Sequence, residues 1–176
     1  YNRGTNREPI FRCDENYRFL LRRINQCAQE WQAAVIAYCL MQNHYHFVLR
    51  QDGEGSLSSF VQAVFNSYTK AFNQVYERSG TLFEGPFRAV PVMEEDYLIH
   101  LCRYVHRNPL DAHLVAYLND WPYSNYLEWI GQREGTLVDG EFVRSRFATP
   151  EAYIQFVLEY VPPKRIERIV RQLLFD

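Results

Sequence analysis

The chain has 176 residues, a formal net charge of −2 and an aromatic content of 16%. That length suits one domain, or one domain with a helical extension, and it buries a core without needing disulfides or obligatory association. The near-neutral charge excludes a grip on nucleic acid by bulk electrostatics and leaves only local patches for such binding. No apolar run reaches the roughly 18 residues of a membrane span, and the arginine-bearing start is not signal-like.

In chain order, Tyr1 to Phe11 reads as a loop leaving a strand that is cut short at Tyr1. From Asp14, an expected N-cap, apolar residues at Phe19, Leu20, Ile24 and Cys27 predict a helix ending near Trp31. Ala33 to Met41 and His44 to Leu49 read as adjacent strands joined by Gln42-Asn43. Ser56 caps a long helix to about Arg78, with Leu57, Phe60, Val61, Val64, Phe65, Tyr68 and Phe72 on one face. Leu82 to Val92 has strand character broken by Gly85-Pro86, and Glu94 to Arg107 predicts a helix halted at Asn108-Pro109.

With a preceding strand this order is β-α-β-β-α-β, the ferredoxin-like split α+β fold with an antiparallel sheet. We divide the chain into residues 1–115 and a helical C-terminal extension, 116–176. In the extension, residues 131–140 read as a loop, Thr149-Pro150 opens a helix to Tyr160, and Lys164 to Leu174 reads as an amphipathic packing helix. Cys13, Cys27, Cys39 and Cys102 form no Cys-x-x-Cys pair and read as buried free thiols of a reducing cytoplasm.

Two groups of residues carry chemistry. His44 and His46, at i and i+2 on a strand, project from one sheet face about 7 Å apart along the backbone, a start for a metal site that needs a third ligand. His100, Tyr104 and Asn108, at i, i+4 and i+8, share one helix face, so a phenol and an amide point together. Two imidazoles alone would favour zinc, iron or nickel. A bare His-x-His on a strand is more often structural, and a lone helical tyrosine is more often packing.

Leu40-Met-Gln-Asn-His-Tyr-His-Phe-Val-Leu49 resembles the HUH motif of single-tyrosine transposases. Residues 80–88, Tyr97-Leu98 and Arg103-Tyr-Val-His-Arg-Asn-Pro109 extend the resemblance in order and spacing. The opening at residues 3–11 and Trp121-Pro-Tyr-Ser124 are most similar to the REP-associated tyrosine transposases. Gln42 stands where a proline is common in the family.

That resemblance implies His44, His46 and Asn108 as ligands of magnesium or manganese and Tyr104 as the nucleophile. It also implies a 5′-phosphotyrosine intermediate, and as substrate single-stranded DNA beside a palindromic hairpin. Arg3, Arg7, Arg88 and Arg107 are the candidate DNA contacts, because guanidinium forks suit phosphates and bases. His100 is a candidate proton acceptor for Tyr104. A bacterial cytoplasmic, nucleoid-associated protein acting as monomer or homodimer is expected. Two other readings stay open: a hairpin-binding module without catalysis, and a hydrolase using metal-bound water.

Overall fold

Alternation over residues 33–51 produces a hairpin in which β2 (Ala33–Met41) and β3 (His44–Gln51) pair antiparallel, from Ala33↔Gln51 to Met41↔His44. The computed structural model describes residues 1–159, so the segment Lys164 to Leu174 lies outside the described residues. β1 (Asn2–Arg3) pairs antiparallel with the other side of β3, giving the sheet order β1-β3-β2.

Each sheet face has its own core. Tyr38, Leu40 and Tyr45 pack against α1 (Asp14–Glu30) and α2 (Leu57–Val75) through Leu20, Ile24, Val64, Phe65 and Tyr68. Ile36, Cys39, Met41 and Val48 pack against α3 (Glu95–Asp111) through Leu101, Cys102 and Val105. The short helices α4 (Tyr126–Trp129), α5 (Gly140–Arg146) and α6 (Pro150–Leu158) complete that second layer with Trp129, Val143 and Tyr153. A strand covered on both faces reads as a continuous apolar run, and β2 does. The α+β class with an antiparallel sheet holds, and the split order is followed from β1 through α2.

The segment expected as a fourth strand differs. Residues 82–88 run beside β1, with Glu84 N–H donating to the Arg3 carbonyl at 3.0 Å and Arg88 N–H to the Tyr1 carbonyl at 2.9 Å. Only one isolated antiparallel bridge forms, Gly4 with Phe83. Pro86 has no N–H to give a ladder, so the chain takes the edge position without regular pairing. The opposite edge is closed by residues 123–125: Leu40 N–H donates to the Tyr123 carbonyl at 2.9 Å and Tyr38 N–H to Asn125 Oδ1 at 2.8 Å.

Several boundaries shift for local reasons. Cys13 rather than Asp14 is the N-cap of α1, which leaves Asp14 and Glu15 in the first turn, where negative charge suits the helix dipole. Cys13 is therefore exposed, whereas Cys27, Cys39 and Cys102 are buried as expected, and all four thiols are free. Ser56 Oγ caps α2 by accepting from Ser59 N–H at 3.3 Å, and the helix ends at Val75, before the left-handed Glu77 (φ 48°). Asp139 Oδ1 caps α5 inside the region expected as loop, accepting from Phe142 N–H at 2.9 Å. Thr149-Pro150 opens α6 as expected, with Thr149 Oγ1 accepting from Ala152 N–H at 3.3 Å.

Candidate active site

The period of β3 sets the first half of the site. His44 and His46 lie opposite Met41 and Cys39, on the sheet face that α3 covers, with ring centroids 5.1 Å apart. The Tyr104 ring of α3 meets the His46 ring edge-on at 5.6 Å. Asn108, one turn further along α3 and buried, stands close enough to both imidazoles to influence their protonation. Four residues from two elements that the sequence separates by some sixty positions thus converge, by the docking of α3 on β3.

Asn108-Pro109 does not halt α3, which continues to Asp111. Pro109 lacks the N–H that would bond the carbonyl of Val105. The Asn108 side chain compensates in part, its Nδ2 lying 3.0 Å from the Tyr104 carbonyl and 3.5 Å from the Val105 carbonyl. With its donor end held by its own helix, the amide offers its oxygen to the imidazoles.

Burial sets the protonation of the pair. His44 is pulled down to about 4 by desolvation, opposed by Asn108, whose oxygen would accept from the charged ring. Desolvation also carries His46 well below the usual imidazole range, helped by His44 and opposed by Asn108. Both rings are neutral at pH 7, the form that ligates a metal. His46 Nε2 is buried without a hydrogen-bond partner among the described residues, an arrangement with a desolvation cost that a ligated cation would remove. Two neutral imidazoles and an amide oxygen therefore fit a divalent ion with positions left for substrate oxygens. No cluster of three or more His, Cys, Asp or Glu occurs among the described residues, so a carboxylate-rich site is not the alternative there.

His100 is turned elsewhere. Its Nδ1 lies 2.6 Å from Arg103 Nη2 and its ring lies 5.4 Å from Phe156 of α6, whereas Tyr104 is turned to β3. Arg103 and Arg107 also face α6: they donate to the carbonyls of Phe156 at 2.9 Å and Val157 at 3.0 Å, near that helix's C-terminus, where cations are favoured. Arg107 also pairs with Asp111 at 2.8 Å. Arg3 pairs with Glu84 and shares a hollow of about 310 Å³ with Arg88 and Tyr1. Arg7 is exposed in the turn Thr5–Arg7.

Three features escaped the sequence reading. The Tyr1 ring sits 5.0 Å from His46 and 6.0 Å from His44, a second phenol beside the pair. Asn43 Oδ1 lies 2.7 Å from His44 Nδ1. A groove of about 680 Å³ leads from His46 and Tyr104 past Phe87 and Phe142 to Arg50 and Arg146. The alternation that pairs His44 with His46 also aligns Val48 and Arg50, a signal available in the sequence.

The fold, a sheet with helices on both faces, is shared with a solved protein described as a REP-associated tyrosine transposase bound to a REP hairpin. The two superpose with a TM-score of 0.64 at 17% identity, over 78% of this chain and 84% of the other. No protein of curated function matches the sequence. The model of the IS200-like transposases matches residues 3–108, and the chain belongs to that family.

Proposed function

We propose that this chain is a metal-dependent HUH-type endonuclease and strand transferase acting on single-stranded DNA beside a palindromic hairpin. The observation that carries the reading is the edge-on contact of Tyr104 with His46, whose buried Nε2 has no hydrogen-bond partner among the described residues. His44, His46 and Asn108 would hold magnesium or manganese, the metals of phosphate chemistry with hard oxygen ligands. The ion supplies Lewis acidity toward the scissile phosphate and offsets the charge that develops there.

Tyr104 attacks phosphorus as its phenol proton leaves, and a bond forms between its oxygen and the 5′ phosphate. The bond to the 3′ oxygen breaks and that oxygen leaves as a hydroxyl, so the energy of the phosphodiester is kept for rejoining. The fixed rings of His46 and Tyr104 limit the number of poses the phosphate can take. Arg3, Arg7 and Arg88 are the proposed DNA contacts. Arg107 would first have to leave Asp111 and the Val157 carbonyl to join them. Residues 1–115 would carry this chemistry, and described residues between 116 and 159 pack against α3. The hairpin substrate draws on the fold shared with a protein solved on such a hairpin.

The test is covalent capture. Labelled single-stranded hairpin DNA with Mn²⁺ should give a protein-linked band on a denaturing gel. Tyr104→Phe should abolish that band and Tyr1→Phe should keep it. Cleavage surviving in Tyr104→Phe would mean a metal-dependent hydrolase, and binding without cleavage a recognition module.

A further inference from the structure

Beyond the two arginine side chains proposed as DNA contacts, the backbone of the Arg3-Gly-Thr-Asn-Arg segment is built against the site. Its turn is tight: a Cβ on Gly4 would meet the Glu8 carbonyl oxygen at 2.2 Å, and Asn6 and Arg7 both take left-handed backbone (φ 56° and 60°). Gly4 N–H donates to the Asn43 carbonyl at 2.8 Å, and the N–H groups of Ile10 and Phe11 donate to the Gln42 carbonyl at 2.9 and 3.1 Å. Neither Gln42 nor Asn43 has positive φ, so their turn lacks the backbone that usually closes a two-residue hairpin. The chain from 4 to 11 holds it instead.

A polarity relay runs through this contact. The Arg7 carbonyl can only accept, and Asn43 Nδ2 donates to it at 3.1 Å. That fixes which way the amide points, because the flipped amide would set two oxygens against each other. Asn43 Oδ1 is then the atom 2.7 Å from His44 Nδ1, so Nδ1 must carry the hydrogen. The lone pair is left on Nε2, the nitrogen remaining for the side where Asn108 lies.

We infer that Asn43, oriented by the Arg7 carbonyl, is a positioning residue that selects the Nδ1–H tautomer of His44 and so presents Nε2 to the metal. The inference rests on the metal reading above. It gives the turn at residues 4–8 a purpose independent of the Arg7 side chain. An acceptor behind a ligating imidazole fixes its tautomer and raises its basicity, and losing one commonly lowers metal affinity 10- to 100-fold.

Two measurements on the 176-residue chain test it, with Asn43→Ala and Asn43→Asp as variants. Long-range proton–nitrogen spectra of the metal-free protein should show His44 protonated on Nδ1 in the wild type and in Asn43→Asp, and a tautomer mixture in Asn43→Ala. Mn²⁺ titration followed by electron spin resonance should show affinity lowered about tenfold or more in Asn43→Ala and kept within about threefold in Asn43→Asp. Asn43→Asp keeps the acceptor for His44 but loses the donor to Arg7, so a merely structural role predicts equal losses in both variants. Equal losses, or a wild-type His44 protonated on Nε2, overturn the inference while Mn²⁺ binding by the wild type keeps the metal reading. A wild type with the expected tautomer that binds no Mn²⁺ sinks the metal reading and this role with it.

Discussion

Asn125 is fully buried, and its side chain joins three parts of the molecule. Its Oδ1 accepts from Tyr38 N–H at 2.8 Å and faces His106 Nε2 at 2.8 Å. Its Nδ2 donates to the carbonyls of Ile36 at 3.0 Å and Leu137 at 3.2 Å. Asn125→Ala strands the Tyr38 N–H, the His106 ring nitrogen and the Leu137 carbonyl, while the Ile36 carbonyl keeps Trp129 Nε1 at 3.1 Å. A buried polar group left unpaired costs about 1–3 kcal/mol. With partial relaxation around the three groups we expect a loss of ~3–5 kcal/mol, which for a chain of this size lowers Tm by roughly 6–20 °C. Urea unfolding followed by tryptophan fluorescence measures it, with the m-value as a check on two-state behaviour. Asn125→Leu, which fills the space without polar atoms, should recover little. A loss below about 1 kcal/mol in Asn125→Ala, or near-complete recovery in Asn125→Leu, would refute the accounting.

Other expectations follow from the same geometry. Arg88→Ala should weaken binding of hairpin DNA and reduce the slope of log affinity against log salt by about one, as for a lost phosphate contact. Arg107→Ala should leave that slope unchanged and instead lower stability by about 1–2 kcal/mol, since its bonds go to Val157 and Asp111. His106 is held down to about 4 by burial, so between its folded value and the ordinary 6.5 the unfolded chain binds the extra proton. The contribution of His106 to stability is therefore complete above pH 7 and falls by about 3 kcal/mol as pH drops to 4; His106→Gln should remove that share of the acid loss in titrations of the melting temperature. Treatment with EDTA should abolish the protein-linked DNA band and leave hairpin retention in a gel shift. Linkage that persists in EDTA would remove the metal from the mechanism.

The family resemblance singled out the candidate site's residues, and local periods showed which of them share a face. His44 and His46 share a face by strand alternation, Tyr104 and Asn108 by helical spacing, and the burial of β2 on both sides showed in its unbroken apolar run. What stayed hidden depends on contacts distant in sequence. Arg103 and Arg107 looked like a surface patch and instead donate to carbonyls about fifty residues later. Asn125 reaches Tyr38 across 87 positions, and no local pattern marks it. His100 shares a spacing with Tyr104, but the Arg103 guanidinium and the Phe156 ring draw it to α6. Pro109 misled, being tolerated inside α3 because the Asn108 amide covers a freed carbonyl, whereas the break expected at Gly85-Pro86 is large enough that no regular strand forms there.

The closure of both sheet edges bears on how copies of this chain can meet. Residues 123–125 take the donors and acceptors of β2 that a second molecule would need for strand addition, and residues 82–88 shield β1. Joining two sheets into one would first require peeling away a segment anchored by Asn125, at the energetic penalty worked out above. Strand addition at these covered positions is thereby disfavoured. The same seal protects an apolar strand from becoming a template for aggregation.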